Sequence, residues 1–200
     1  MCGRYYIADE DEMFEMREII NEVNERYTEH SLMTTGEIFP TNVAPVLIAD
    51  KQIKRAIPMT WGYPKWQGLG VVINVRAETA MEKPMFRTSI ANRRCIVPSN
   101  GFFEWDHQDG RKEKYLVRLK TTPMLYMAGL YSEFKSNGIQ YTAFVIITTD
   151  ANRTLSQIHD RMPLVLERGQ TDLWLHNEQF AMTVLTKPCE AEMMVIRADR

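Results

Sequence analysis

Met124-Leu125-Tyr126-Met127-Ala128-Gly129-Leu130-Tyr131 and, beyond Asn137-Gly138, Tyr141-Thr142-Ala143-Phe144-Val145-Ile146-Ile147-Thr148-Thr149 are the two runs that decide the fold class. Each is short and largely apolar, the second is rich in β-branched and aromatic residues, and an Asn-Gly step between such runs is a strong hairpin signal. Working outward, strands are expected at 52–59, 70–76, 95–98, 102–105, 114–119 and 164–166, with a second turn at Asp109-Gly110. Between residues 9 and 29, Met13, Met16, Ile20, Val23 and Tyr27 recur at helical steps behind an acidic first turn, which predicts an amphipathic helix. Further helices are expected over 150–158, capped by Asp150, and near 170–176. The segment Ile38-Phe39-Pro40-Thr41-Asn42-Val43-Ala44-Pro45 carries two prolines and reads as a rigid, irregular loop. Many strands with few helices between them predict an α+β fold: one domain over residues 1–200, a mainly antiparallel β-sheet or open barrel with flanking helices.

The chain is 44% hydrophobic and 25% charged over 200 residues, enough to bury a core without disulfides or metals. No apolar run reaches the length of a membrane span, and the N-terminus lacks a secretory pattern, so a cytoplasmic, monomeric protein with no membrane partner is expected. Cys2, Cys95 and Cys189 are odd in number and lack a C-x-x-C pair, and the four histidines show no i,i+4 pairing, so neither a disulfide framework nor a metal site is expected. The net charge of −2 argues against a generic nucleic-acid binder. It is unevenly spread, however: residues 1–59 carry −5, residues 60–118 carry +4 and residues 119–200 carry −1.

Cys2 becomes the N-terminal residue once Met1 is removed, and then bears an α-amine and a thiol on adjacent carbons. The amine, with a reference pKa of about 7.7–8.0, is partly neutral near pH 7 and can form an imine with an aldehyde, on which the thiol can close a thiazolidine. The bland alternative is a frayed terminus. Asn74 and Arg76 share one face of an alternating strand with Val72, as an amide and a guanidinium suited to a phosphate or carboxylate, or simply as a solvent-facing pair with Arg76 on Glu78. Glu104 in Gly101-Phe102-Phe103-Glu104-Trp105 is a carboxylate among aromatics, where an apolar setting raises its pKa toward the range of proton transfer; a structural pairing with an arginine is the alternative. His159-Asp160-Arg161 places an imidazole, a carboxylate and a guanidinium at a loop, and Trp61 and Trp66 flank Lys65 where bases can stack, or where Trp61 can fill the core.

The order of these motifs is more specific than any one of them. Met-Cys-Gly-Arg at the start, Asn-Val-Ala-Pro at 42–45, Trp-Gly at 61–62, Asn-x-Arg-x-Glu-Thr at 74–79, Gly-Phe-Phe-Glu-Trp at 101–105 and His-Asp-Arg-Met-Pro at 159–163 together resemble the SOS-response-associated peptidase (SRAP) family. The resemblance implies antiparallel strands around a basic groove, single-stranded DNA with abasic sites and single-strand to duplex junctions as partners, and no cofactor. It implies a covalent crosslink through Cys2, with Asn74, Glu104 and His159 as the other catalytic residues. Arg4 and Arg76 are implied as phosphate contacts, Pro40 and Asn42 as part of a loop near the lesion, and Lys65, Trp66, Arg87, Arg94 and Arg161 as further DNA contacts. Thr148 and Thr149 fall close to where the family lines its active site. Two other classes fit an N-terminal cysteine: an amidohydrolase or autoprocessing cysteine peptidase, and a DNA-binding module in which Cys2 is idle.

Overall fold

The computed structural model describes residues 2–8, 13–27, 33–106, 113–136 and 138–198. In chain order the elements are β1 (Arg4–Ile7), α1 (Phe14–Arg26), β2 (Gly36–Ile38), β3 (Val43–Asp50), β4 (Ile53–Trp61), β5 (Tyr63–Pro64), β6 (Val71–Val72), β7 (Asn74–Arg76), α2 (Pro84–Asn92), β8 (Arg94–Ser99), β9 (Gly101–Asp106), β10 (Glu113–Leu119), β11 (Leu125–Ser136), β12 (Ile139–Asp150), β13 (Arg161–Pro163), β14 (Val165–Leu166), α3 (Thr171–His176), α4 (Glu178–Leu185) and β15 (Met193–Arg197). Short 3-10 turns at Ala77–Thr79, Leu155–Gln157 and Arg168–Gln170 complete them.

The hairpin anticipated from the two apolar runs is β11–β12, antiparallel from Gly129↔Ile146 to Ser136↔Ile139. Residues 125–130 and 143–149 are buried throughout, so both faces of this hairpin are covered, which is why its sequence reads as continuous rather than alternating. It belongs to a sheet ordered β13-β12-β4-β3-β8-β11-β14, with β7 also on β12. A second, antiparallel sheet runs β15-β10-β9-β1-β2, and β5–β6 form a separate ribbon. The α+β class holds, and the sheets are antiparallel except where β12 pairs in parallel with β4 and with β7.

Three expectations are corrected. The proline-rich segment is a loop only over Phe39–Pro40–Thr41–Asn42; Val43 already begins β3. Pro45 and Pro58 face each other in the β3–β4 ladder, and each lies beyond the residues that pair on its strand's other side, Leu47 and Ile48 with β8, Thr60 and Trp61 with β12. Their missing N–H groups therefore cost no ladder bond. The strand expected over 70–76 is broken at Ile73: Val72 pairs with Tyr63 in the ribbon, whereas Asn74 pairs with Ile146. The helix over 150–158 shrinks to one 3-10 turn, because Asp150 stays in β12 and the capping oxygen is Asn152 Oδ1, which accepts from the Thr154 and Leu155 N–H groups at 3.1 Å. The turn at Asp109-Gly110 and residue Asn137 lie outside the described residues.

Helix α1 buries Met16, Ile19, Ile20 and Val23, each contributing roughly 1.5–3 kcal/mol, and thereby seals one side of the core. Trp61, Trp174, Tyr5, Tyr63, Phe102 and Phe144 are fully buried, so Trp61 is a core residue. Its ring is T-shaped on Tyr5 at 5.1 Å and stacked on Phe144 at 6.4 Å, and its Nε1–H donates to Ile73 O at 3.1 Å. The next residue must be glycine: Gly62 has φ +118, and a Cβ there would stand 2.7 Å from Val71 Cγ2. No helix among the described residues is long and apolar enough to cross a membrane.

Candidate active site and nucleic-acid face

Strand β1 carries the N-terminal segment into the five-stranded sheet, between the central strand β9 and the edge strand β2. The corner between β8 and β9 fastens it there. Asn100 N–H donates to Tyr6 O at 2.8 Å and Asn100 Oδ1 accepts from the Ala8 N–H at 2.8 Å. At Gly101 any Cβ would stand 2.8 Å from Val117 O on β10, so glycine lets β9 lie tightly against its neighbour.

Alternation along β9 then separates its side chains. Phe102 and Glu104 go to the face that holds Tyr5 and Val117, and Phe103 and Trp105 go to the other. Glu104 is 2% exposed, and burial pushes its carboxyl up to about 7. Its charge acts on Cys2, which is fully buried and whose thiol is pushed well up, first by burial and then by Glu104. The Cys2 S–H donates to Arg4 O at 3.6 Å. Asn74, delivered by β7, donates from Nδ2 to Cys2 O at 2.8 Å. Its Oδ1 is buried and has no hydrogen-bond partner among the described residues, which leaves one acceptor on this side chain unused.

His159 enters from the loop before β13. Its Nε2 is 3.9 Å from Glu104 Oε2. Its Nδ1 accepts from the Arg161 N–H at 3.0 Å and also lies 2.9 Å from Asp160 Oδ1. Those two contacts demand opposite states of Nδ1: an acceptor for the peptide N–H, a donor for the carboxylate. The peptide group is fixed by β13, whereas the Asp160 side chain is 82% exposed and free to swing. The main-chain donor favours the neutral tautomer with its proton on Nε2, the side of Glu104, whereas Asp160 favours a proton on Nδ1. Four side chains expected from separate stretches of sequence, Cys2, Asn74, Glu104 and His159, thus converge.

The expected DNA contacts divide. Arg76 and Arg87 are exposed, as are Lys65 and Trp66, the latter at 90%, at the end of the β5–β6 ribbon. Pro40 is half-buried in the turn after β2, next to Phe39. Asn42 is occupied with that turn, its Oδ1 accepting from the Phe39 N–H at 2.8 Å. Two expectations need correction. Arg94 is 7% exposed, and its guanidinium donates to the carbonyls of Ile90, Ala91, Trp174 and Leu175; it ties α2 and α3 to β8 and has no face left for a phosphate. Arg161 is 6% exposed, forks onto both oxygens of Glu78 at 2.8 and 2.9 Å and donates to Asp150 and Thr148 O. It is an internal strut between β12, β13 and the turn after β7. Asp150, expected as a helix cap, instead lies opposite Arg161 in the β12–β13 register and is one of its partners. Thr148 and Thr149, also on that stretch of β12, are buried.

The outer face of the same sheet holds the expected Arg4 together with two residues that were not anticipated, Glu37 and Lys114. Arg4 Nη1 donates to Glu37 Oε1 at 2.9 Å, and Lys114 Nζ donates to Glu37 Oε2 at 2.7 Å. The Arg4 guanidinium lies 4.4 Å from the Phe39 ring and 5.0 Å from that of Trp105, and Lys114 Nζ is 4.1 Å from the Phe103 ring. Burial pushes the Glu37 carboxyl up, and the two cations more than offset this, leaving it below the usual carboxylate range. Among the described residues no cluster of three or more His, Cys, Asp or Glu is placed to hold a metal ion.

Comparison with known proteins places the chain in a family. The family model described as SOS response associated peptidase (SRAP) matches residues 1–199. The abasic site processing protein YoqW of Bacillus subtilis is 33% identical over 189 residues, covering 88% of this chain and 80% of that protein. The abasic site processing protein YedK of Escherichia coli is 29% identical over 184 residues, covering 89% and 81%. Among solved structures, a protein from Bacteroides thetaiotaomicron superposes with a TM-score of 0.75 at 26% identity, covering 98% of this chain and 92% of that one.

Proposed function

The chain belongs to the SOS response associated peptidase (SRAP) family, and from that premise we propose that it processes abasic sites in single-stranded DNA by a covalent crosslink through Cys2. The observation that carries this reading is the convergence of Asn74, Glu104 and His159 on the first residue that Met1 removal would expose. Two of the curated relatives it resembles are named for abasic site processing.

In the ring-opened form of an abasic deoxyribose, C1′ is an aldehyde. The Cys2 α-amine adds to C1′, forming a C–N bond while the carbonyl oxygen takes up a proton. Loss of that oxygen as water gives the imine. The thiol sulfur then bonds to the imine carbon while its proton goes to nitrogen, closing the thiazolidine. A carboxyl near pH 7 is suited to the first two proton transfers, because Glu104 can take the proton of the amine and return it to the departing oxygen. His159 Nε2, facing Glu104, serves the next transfer. Asn74 fixes the Cys2 carbonyl and turns its remaining acceptor to the reacting sugar. Closing the ring removes an imine that would otherwise allow elimination of the 3′ phosphate.

A thiol pushed well above its ordinary range is poorly suited to open the reaction as a thiolate. That favours the amine-first route over an amidohydrolase or peptidase attack through sulfur. The exposed Arg76, Lys65, Trp66 and Arg87 are read as the face that carries the strand, through phosphate contacts and stacking.

The test is a denaturing gel of the Met1-processed protein with single-stranded oligonucleotides that do or do not contain one abasic site. A shifted band is expected only with the abasic strand, lost in Cys2→Ala while noncovalent binding persists. A Cys2→Ala protein that crosslinks at the wild-type rate would overturn the assignment.

A further inference from the structure

On the outer face of the β10–β9–β1–β2 sheet, one carboxylate holds two cations. Glu37 belongs to β2 and Lys114 to β10, with β9 and β1 between them, so their side chains reach toward each other over Arg4. This is not needed to set the register of β2, which its own ladder with β1 fixes at Tyr5↔Ile38, Tyr6↔Glu37 and Ile7↔Gly36. The cations are positioned by more than Glu37: Arg4 lies against Phe39 and Trp105, and Lys114 against Phe103. Phe39 is 40% exposed, so an aromatic surface opens beside the charges. A guanidinium and an ammonium converging on one anion, next to an accessible ring, is the set of groups that recognises a nucleotide's phosphate and base.

Resting on the reading of this protein as a single-strand DNA binder, we propose that Glu37 is an internal competitor for a backbone phosphate, occupying the anion position that Arg4 and Lys114 form, and that Lys114 becomes a phosphate contact when the strand displaces it. Two anions cannot share one pair of cations without repulsion, so each binding event must release the carboxylate to water. Affinity for undamaged strands is thereby held down, and lasting occupancy is left to the covalent step. Removing the carboxylate's charge leaves the two cations in place, with nothing to displace.

The measurement uses a lesion-free single-stranded oligonucleotide, so that it does not depend on thiazolidine chemistry. By fluorescence anisotropy at low salt, Glu37→Gln is expected to bind about fivefold more tightly than wild type, with a steeper fall of affinity with salt. Adding Lys114→Gln to Glu37→Gln reverses most of that gain. A folded Glu37→Gln protein that binds equally or more weakly overturns the proposal and makes Glu37 a strut. A second measurement needs no variant. A water-soluble carbodiimide activates the Glu37 carboxylate, the Lys114 ε-amine displaces the urea, and the isopeptide is read by peptide mass spectrometry. Saturating oligonucleotide is expected to suppress that product; equal yield with and without DNA overturns the proposal. Loss of crosslinking to an abasic strand would instead count against the Cys2 chemistry alone.

Discussion

Two glutamates, two strands apart in one sheet, are driven in opposite directions. Glu104 faces inward with Tyr5 and Phe102, where burial raises its carboxyl to about 7. Glu37 faces outward, where Lys114 and Arg4 outweigh the cost of partial burial and keep it ionised. The strands have the same alternation; what differs is depth and the strength of the pairing, since Glu104 is 2% exposed and burial outweighs the attractions around it, whereas Glu37 is 26% exposed and bonds both Arg4 and Lys114. One face thus holds a carboxyl that can change its protonation near neutral pH, and the other a fixed negative charge. The first suits proton transfer and the second suits competition with an anion.

The largest effect expected from breaking this contrast is kinetic. Glu104→Gln keeps the shape and removes the exchangeable proton, so the crosslinking rate at pH 7 should fall about 100-fold or more, in keeping with the usual contribution of general acid–base catalysis. Quenched time courses with an abasic oligonucleotide give the rate, and a loss below about threefold would remove Glu104 from the proton path.

The same substitution should stabilise the fold. A carboxyl whose folded pKa is raised contributes stability that is complete below its ordinary value of 4.5 and is lost as pH rises to about 7. Above that range Glu104 is ionised in a buried place, and Glu104→Gln is expected to exceed wild type by roughly 2–3 kcal/mol. Urea midpoints at pH 5 and pH 8 check this: the gap must widen with pH, and a gap that stays constant would mean the carboxyl is not raised.

Glu37 should behave the other way and more weakly. Its depressed carboxyl contributes stability above the ordinary carboxylate range that is lost as pH falls through its folded value. Because the side chain is 26% exposed and paired at the surface, Glu37→Gln is expected to cost no more than about 1 kcal/mol at pH 7, a difference that vanishes in acid. Thermal unfolding of both proteins at pH 3 and pH 7 measures it.

The inner face was the more legible of the two. Cys2, Asn74, Glu104 and His159 each stood out by type or setting, because a reactive terminus, an amide beside a guanidinium on a strand and a carboxylate among aromatics are local patterns. Glu37 and Lys114 were invisible for the opposite reason: they are ordinary charges 77 residues apart, and only the order β10-β9-β1-β2 makes them neighbours. The β11–β12 hairpin could be read because its apolar runs are long and its turn is marked. Strands β1, β2, β13 and β15 are 3 to 5 residues long, too short for periodicity to speak. Arg94 and Arg161 misled because a sequence shows that a side chain is cationic, not whether the fold supplies carbonyls and carboxylates to consume its donors.

The bond from the Arg161 peptide N–H to His159 Nδ1 belongs to the backbone, so side-chain replacement passes over it. Arg161→Ala would dismantle the strut to Glu78 and Asp150 and still leave the imidazole's donor in place. An alanine scan would therefore separate the two functions of position 161 by accident, reporting stability while leaving the histidine's tautomer alone. An ester in place of that amide removes the N–H while keeping the arginine side chain, and so addresses by itself the element that favours a proton on Nε2 facing Glu104.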